Sequence, residues 1–276
     1  MPADKVSLTQ AVRGNLLTLQ RTATTIDQTQ TRLSTGLKVN SAIDDAAAFF
    51  TARALDNRAS DLDSLKSNID LAISTIQAAL DGIDAITDLV QQAKGLASNA
   101  KATGDTNERS TLAVQFNELL SQIDSIANDS TFNGINLLQA SPDNLDVVFN
   151  EDNTSNLTIT GLDNTTASTG INLAGATNNF TDNTAIDTSL TAISAALVTL
   201  RGNASTLGSN ATILKTRLDF TQNLVNTLEG GSGKLTLADL NEESANLLSL
   251  QTRQQLGLNS LSLAAQSERA ILSLFG

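Results

Sequence analysis

Two long runs of apolar residues, spaced alternately by three and four positions, lie in the two halves of this 276-residue chain. Such spacing keeps one apolar stripe along a helix and requires a partner helix to cover that stripe. The first run spans residues 62–97 and the second spans residues 186–228, with Thr221 as its only polar member. The chain is therefore predicted to fold as a hairpin of long helices whose termini return to the same end.

The composition suits a thin helical bundle and removes several kinds of chemistry. Hydrophobic residues make up 40% of the chain, but aromatic residues make up only 3%, and all of them are Phe. A core of this kind must be built from Leu, Ile, Val and Ala. The chain has no His and no Cys, so triads, Cys–His pairs and His–zinc centres are excluded. We expect no catalytic site, cofactor or metal.

The net charge of −12 makes nucleic acid and anionic membranes poor partners. No stretch approaches the roughly 20 apolar residues of a membrane helix, so we expect no membrane insertion. The first five residues lack the basic start and apolar run of a secretory signal. The protein is therefore expected either to stay in the cytosol or to leave it by a route that needs no cleaved signal.

Residues 8–38 are predicted to form a first helix that ends near Gly36. Its apolar stripe includes one polar residue, Gln30. Ser41 and Asp44 resemble a capping box that opens a second helix over about 42–100. A shorter helix follows a turn at 103–105, and its predicted stripe consists of Leu112, Phe116, Leu119, Ile123 and Ile126.

Residues 139–183 lose the helical spacing and are rich in Asn, Thr, Asp and Gly. Two β-rich runs, 145–149 and 157–160, are separated by polar residues and predict a β-hairpin. A second long helix over about 184–229 then leads to Gly230-Gly231-Ser232-Gly233, which predicts a break or hinge. A last helix is predicted over about 236–274.

The predicted fold class is mainly α, a long antiparallel coiled coil or helical bundle with a small β-hairpin region. Residues 1–40 and 235–276 are predicted terminal arms, 41–140 and 184–230 the helical rod, and 141–183 the β-rich outer tip. An isolated amphipathic arm buries too little surface to offset its ordering entropy. We therefore expect the arms to become ordered when they pack against other copies.

Three segments of the chain resemble motifs of the bacterial flagellins, in the family's order. They are RLSTGLKVNSAIDDAA at 32–47, STFNGINLL at 130–138 and SLAAQSERAILSLFG at 262–276. The likeness covers residues 1 to about 138 and about 184–276, and the middle is very short for the family. The chain is similar to short flagellins that lack large outer domains.

The resemblance implies a structural subunit that self-assembles into the helical flagellar filament used for swimming. It implies export in an unfolded state through the flagellar secretion apparatus, so that the filament is extracellular. The implied partners are other copies of the chain, an export chaperone at the C-terminal arm, and the filament cap and hook-junction proteins. A hook–filament junction protein, which shares the family's end sequences, is the alternative, but the full motif set and the regular stripes favour flagellin.

Polar residues near the predicted arm–rod junction are candidate contacts with a neighbouring subunit: Arg32, Asn40, Asp44 and Asp45. Their charges would support charge-assisted hydrogen bonds. A local role is compatible with this, because Ser41 and Asp44 are expected to cap a helix and Asp45 suits its N-terminal dipole. Asp44 and Asp45 are a poor metal or acid–base pair, since adjacent helical residues do not converge.

Apolar residues of the two arms form the predicted arm-packing seam, and glycines form the predicted hinge. The seam consists of Val12, Leu16, Leu19, Ile26, Leu33, Leu258, Leu261, Leu272 and Phe275. The hinge consists of Gly230, Gly231 and Gly233.

Gln92 marks a departure from the family that this chain resembles. In that family, the segment recognised by the animal innate immune flagellin receptor carries an Arg at this position, and Lys94 and Gly95 replace a more typical Arg and Glu. The resemblance therefore predicts weak or absent receptor activation. If Ser, Thr or Asn side chains are glycosylated, the central loops at 150–185 are the expected place.

Overall fold

The structure is a computed structural model, and it describes residues 10–275 of the chain. Its helices are α1 Gln10–Thr35, α2 Ala46–Ala102, α3 Thr106–Asp129, α4 Asn183–Thr236 and α5 Leu240–Phe275. The mainly helical fold is confirmed, with each predicted helix present over its described residues. No helix in residues 10–275 is both long and apolar enough to cross a bilayer.

The chain divides into two compact units. The terminal unit comprises Met1–Asn57 and Thr227–Gly276, and the central unit comprises Arg58–Asn226. These boundaries fall inside α2 and α4 and not at the linkers. The predicted division into arms, rod and tip stays a prediction.

In the central unit, α2 and α4 run antiparallel and cover each other's apolar stripes. Lys66 Nζ lies 2.8 Å from Gln222 Oε1, and Lys101 Nζ lies 2.5 Å from Asp187 Oδ1 near the other end. Every member of the predicted α2 stripe is buried except half-buried Leu65. The α4 stripe is buried or half-buried throughout, including Thr221. The periodicity therefore identified the central pair of helices correctly.

The third helix, α3, packs on this pair through a stripe that is rotated from the predicted one. Its buried residues are Ala113, Phe116, Leu120, Ile123 and Ala127. The predicted members Leu112, Leu119 and Ile126 are half-buried and flank the contact. Adjacent helix positions differ by about 100°, and the contact uses Ala113, Leu120 and Ala127, each one position after a predicted member of the stripe.

Four short strands lie in the central unit. They are β1 Thr131–Phe132, β2 Ile135–Asn136, β3 Leu145–Val148 and β4 Asn156–Ile159. The pair β3–β4 is antiparallel with Leu145 opposite Ile159, which confirms the predicted hairpin. The pair β1–β2 turns at Asn133-Gly134, where φ is 51° and 80°. This Asn-Gly turn is a recognised hairpin signal, and it lies within the segment 130–138 that resembles a family motif.

The predicted break at Gly230-Gly231-Ser232-Gly233 is wrong, because α4 continues through these residues to Thr236. Ser232 is buried, and a Cβ placed on Gly231 would lie 3.4 Å from Leu55 Cδ1. Glycine lowers helix stability by only about 1 kcal/mol per residue, and close packing against α2 stabilises the helical conformation of this segment. The chain turns instead at residues 237–239, between α4 and α5.

Candidate assembly site

Two linkers meet in the terminal unit, residues 36–45 after α1 and residues 237–239 before α5. Leu37 and Leu237 form an isolated antiparallel β-bridge. Lys38 N–H donates to Thr236 O at 2.7 Å, and Ala238 N–H donates to Gly36 O at 2.9 Å. We call these contacts the linker clasp. Because they are backbone bonds, the clasp fixes the end of α1 against the start of α5 whatever the side chains are.

Gly36 ends α1, as predicted. Its N–H donates to Arg32 O at 2.8 Å, and its φ of +72° is in the left-handed region that glycine adopts without steric cost. The chain can therefore leave the helix in the direction that the linker clasp requires.

Arg32 forms an ion pair between α1 and α5. Its Nη1 lies 3.0 Å from Glu243 Oε1, and the Glu243 side chain is only 11% exposed. Glu243 precedes Leu247 and Leu250 at steps of four and three, so it occupies a position in the face of α5 that packs on α1. The sequence alone identified Arg32 as a candidate contact but not Glu243. The spacing of Glu243 from Leu247 and Leu250 is the sequence signal that could have placed it on the packed face of α5.

Asp44 closes the turn between the linker clasp and α2. Its Oδ2 accepts hydrogen bonds from Ser41 Oγ at 3.0 Å, Ser41 N at 2.9 Å and Asn40 N at 3.1 Å. These bonds, led by that of the Ser41 hydroxyl and assisted weakly by the Arg32 charge, hold the pKa of Asp44 below its usual range. Asn40 and Asp44 are therefore brought together through one turn.

The predicted cap of α2 is corrected by the structure. Asp45 Oδ1 accepts from Ala48 N at 3.0 Å, which makes Asp45 the residue that caps the helix. Ser41 and Asp44 bond to each other one turn earlier and leave the helical N–H groups to Asp45. The Ser41–Asp44 hydrogen bonds of the expected capping box do form, but they stabilise the turn that precedes α2 and do not cap the helix.

Helices α1 and α5 pack antiparallel, and the face of α1 that meets α5 is rotated from the predicted stripe. Thr29 is buried in this face, whereas Gln30 is exposed. Leu19 packs on Gly257 so closely that a Cβ there would lie 3.0 Å from Leu19 Cδ2. A glycine on α5 thus admits a leucine of α1, which the spacing of apolar residues did not predict.

The predicted seam residues are divided between this contact and the surface. Val12 and Ile26 are buried, and three more residues, Leu19, Leu33 and Leu261, are half-buried. Leu16 and Leu258 are exposed at 41% and 54%, and the side chains of Leu272 and Phe275 lie outside the described residues. Their role in packing between copies stays a prediction.

A row of leucines on α5 faces away from α1. Leu248, Leu256 and Leu263 are 68%, 60% and 67% exposed and recur at intervals of eight and seven residues. Such a row, once α1 has covered the other face of the helix, forms an unpaired apolar surface along α5.

Asn136 organises the junction of α3 with the strands, within the second family-like motif. Its Nδ2 donates to Ala127 O and Asn128 O at 2.9 and 2.8 Å. Its Oδ1 accepts from Leu138 N and Gln139 N at 2.8 and 3.1 Å. The amide is therefore saturated while only 2% of the residue is exposed, and sequence reasoning gave it no individual role.

Gln92 is exposed on α2 and lines a groove between α2 and α3 of about 680 Å³. Leu96 and Asn99 of α2 line the same groove, opposite Glu118 and Gln122 of α3. We call it the α2–α3 groove. Among its lining residues Glu118 is the only one with a formal charge.

Comparison with protein families identifies both ends of the chain. The bacterial flagellin N-terminal helical region matches residues 6–143, and the bacterial flagellin C-terminal helical region matches residues 190–275. The chain belongs to the bacterial flagellins. It is therefore a structural subunit of the flagellar filament and not an enzyme. Nothing in the comparisons favours the alternative of a hook–filament junction protein.

Relatives of similar length extend the match across this flagellin. Flagellin FljM of Caulobacter vibrioides is 36% identical over 269 residues, which cover 95% of this chain and 96% of the relative. A flagellin of Brucella melitensis is 31% identical over 270 residues, covering 94% of this chain and 95% of the relative. These full-length matches agree with a short flagellin.

The crystal structure of Bacillus cereus flagellin supports the fold. It matches with a TM-score of 0.50 at 20% sequence identity, and covers 56% of this chain and 88% of that one. The two family matches leave residues 144–189 of this flagellin between them, the segment that contains β3 and β4.

Proposed function

We propose that this flagellin polymerises through its terminal unit, whose exposed leucines are covered by the same unit of neighbouring copies. The observation that carries the proposal is the row Leu248, Leu256 and Leu263, which remains exposed after α1 and α5 have packed together. Burial of apolar surface contributes about 25 cal/mol per Å², so repeated contacts along a filament would offset the entropy of ordering the arms.

The junction residues and glycines have roles in this proposal that follow from their positions. Asn40, Asp44 and Asp45 shape the turn and the helix start between α1 and α2. Arg32 lies beside them in α1, paired with Glu243, and these four residues are the proposed contacts with a neighbouring subunit. Gly230, Gly231 and Gly233 allow α4 to bend during assembly, although the helix is continuous in the single chain.

The same apolar row supports the proposed partners outside the filament. An export chaperone that covers the C-terminal arm would prevent premature association of the leucines in the cytosol. The chain is then exported unfolded through the flagellar secretion apparatus to the extracellular filament. The filament cap and hook-junction proteins contact the first and last copies, whose arms have a free face.

Electron microscopy of the concentrated protein, with sulfate or filament seeds, tests polymerisation. Sulfate strengthens apolar burial and salt screens the net charge of −12. We expect long hollow filaments. A protein that remained monomeric under all these conditions would contradict the proposal and would favour the alternative function, that of a hook–filament junction protein.

Two variants test the role of the arms. Deletion of residues 236–276 should abolish polymerisation while the central unit keeps its helical circular dichroism. Leu256→Gln should weaken polymerisation, whereas the matched variant Leu71→Gln, at a leucine exposed on α2 of the central unit, should not impair it to the same degree. Filaments formed by the truncated chain would show that the arms are dispensable.

Receptor activation is a separate prediction, made from Gln92. We expect the purified monomer to activate the innate immune flagellin receptor weakly, and Gln92→Arg to increase the response of reporter cells. Gln91→Arg adds the same charge at the adjacent exposed position and should leave the response unchanged. A wild-type response equal to that of an enterobacterial flagellin would contradict the prediction.

A further inference from the structure

Asn133 and Gly134 form the two-residue turn between β1 and β2. Phe132 and Ile135 pair on either side of this turn, and φ is 51° at Asn133 and 80° at Gly134. Both turn residues are exposed. The pair is the only Asn-Gly in the chain, so any chemistry that is particular to this dipeptide is confined to one place.

An Asn-Gly pair can modify itself without an enzyme. The backbone nitrogen of Gly134 attacks the side-chain carbonyl carbon of Asn133, its proton leaves with the departing ammonia, and a five-membered succinimide ring closes. Water then opens the ring at one of its two carbonyl groups, which gives either aspartate or isoaspartate at position 133. The reaction consumes only water, and glycine permits it best because no side chain shields the attacking nitrogen.

The folded turn disfavours this ring closure. The side-chain carbon of Asn133 reaches the nitrogen of Gly134 only if the peptide group between them rotates out of the left-handed conformation that both residues adopt. The pairing of β1 with β2 opposes that rotation, because the geometry of a two-residue turn is coupled to the strands that it joins. In an unfolded chain the same peptide group rotates freely, so the reaction is expected to be faster there.

Asparagines elsewhere in the chain lack this combination of features. Asn153, in the loop between β3 and β4, is exposed and has a φ of 54°, but Thr154 follows it, and a β-branched side chain crowds the nitrogen that would attack. Asn136 precedes Leu137, and its buried amide is saturated with hydrogen bonds. The sequence and the structure therefore single out Asn133.

The two products differ in their effect on the turn. Aspartate leaves the backbone unchanged, and Asp-Gly suits the same kind of turn as Asn-Gly. Isoaspartate directs the backbone through the former side chain, and so adds one carbon atom to a turn of two residues. The added atom disturbs the register of Phe132 with Ile135. It also displaces Asn136, whose amide supports both the end of α3 and the segment after β2.

We infer that Asn133-Gly134 is a self-modification site, protected in the folded central unit and reactive in the unfolded chain. A chain that stays unfolded for a long time acquires isoaspartate in the β1–β2 turn and no longer folds its central unit correctly. The consequence for assembly rests on the proposed export in an unfolded state. The site would exclude chains from the filament according to the time that they had spent unfolded.

Peptide mapping of the full-length chain tests the site. The wild-type protein is incubated in mildly alkaline buffer with and without guanidinium chloride, and modification of Asn133 and Asn153 is followed by mass spectrometry. We expect Asn133 to be modified several-fold faster in the unfolded chain than in the folded chain, and Asn153 to be modified slowly in both. Equal rates with and without denaturant, or equal rates at the two asparagines in the unfolded chain, would overturn the inference.

Two variants separate the added backbone atom from the added charge. Asn133→Asp introduces the charge alone, so its denaturant midpoint of unfolding should stay near that of the fresh wild-type chain. The wild-type chain that was incubated unfolded, and is enriched in isoaspartate, should refold with a lower midpoint. Asn133→Gly removes the reactive amide and keeps a turn-forming pair, so the same incubation should leave its midpoint unchanged. An isoaspartate-rich chain as stable as Asn133→Asp would contradict the assigned effect on the turn.

Filament growth tests the consequence for assembly. Filaments grown from the incubated wild-type protein should contain less isoaspartate at position 133 than the protein that remains in solution, when isoaspartate is labelled with a specific methyltransferase. Equal contents in the two fractions would show that the modification does not exclude chains. Failure of the fresh wild-type chain to form filaments would instead count against the proposed polymerisation, while the rates of modification and the midpoints would still test the site.

Discussion

Asn136 shows how strongly one buried amide can determine the local course of a chain. Its side chain satisfies two carbonyl groups at the end of α3 and two N–H groups of the segment after β2. No other side-chain type combines two donors and an acceptor in this shape at that length. The residue is therefore a structural requirement of the motif that contains it.

Asn136→Ala should lower the free energy of unfolding of the central unit by about 3 kcal/mol or more, because buried backbone groups lose their partners. Urea denaturation followed by circular dichroism measures this. Asn68→Ala, at an exposed position on α2, should change the free energy of unfolding by only a few tenths of a kcal/mol, about the size of ordinary surface effects. Equal effects for the two variants would contradict the assigned role.

Asp44 gives the turn before α2 a dependence on pH. Because its pKa is lowered in the folded chain, the ionised carboxylate stabilises the fold at pH values above the usual Asp range. That contribution is lost as the pH falls through the lowered pKa of the folded state. Nuclear magnetic resonance titration should find the carboxyl pKa of Asp44 below the usual range. Ser41→Ala should raise that pKa, whereas Ser34→Ala should leave it unchanged.

At the scale of helices, glycine content proved a weaker signal than packing. The glycines of residues 230–233 predict a helix break, yet these residues form part of α4, because Gly231 and Ser232 lie in its packed face. Gly230 differs from both, since no atom lies within 4 Å of a Cβ placed on it.

Gly230→Ala should therefore raise the free energy of unfolding by about 0.5–1 kcal/mol, the usual gain for replacing a helical glycine at an open site. Gly233→Ala is the matched comparison, and it should gain less because its Cβ would lie 3.0 Å from Leu237 Cδ1. Thermal denaturation of both variants measures the difference. If α4 bends here during assembly, Gly230→Ala should also slow filament growth, and unchanged growth would count against the hinge.

The sequence predicted the long helices well because their stripes are long and dominated by large apolar residues. The stripes of α2 and α4 could be assigned residue by residue, because they are long and large apolar residues recur between their alanines. The stripes of α1 and α3 were displaced because Thr29 and Ala113 are small or polar and occupy contact positions. Which of two adjacent residues on a helix faces the partner helix depends on the residues of that partner. Gly257 and Glu243 lie in the face of α5 that contacts α1, but neither has the apolar side chain by which a periodic pattern could identify them.

The site residues divide in the same way. Arg32, Asn40, Asp44 and Asp45 were found from a recognised motif, but their actual partners required the fold. Glu243 lies 211 positions from Arg32, and no local pattern connects two residues so far apart in a single sequence.

At the scale of the whole molecule, the net charge should govern how readily copies associate. The Debye length falls from about 30 Å at 0.01 M salt to about 8 Å at 0.15 M. We therefore expect filament growth, measured by light scattering, to accelerate over this range of sodium chloride. The variant Asp70→Asn/Asp84→Asn, which removes two carboxylates from the solvent face of α2, should show a weaker dependence on salt. A growth rate independent of salt would show that repulsion does not limit association.

The linker clasp has a consequence for the order in which the chain acquires its structure. Leu37 pairs with Leu237, so the bridge closes a loop of most of the chain, and contacts of such high sequence separation form late and slowly. A chain delivered from its N-terminus cannot complete the pairing of α1 with α5 until its last segment has arrived. On the proposed polymerisation, a chain that lacks its last helix should therefore be unable to join a growing filament.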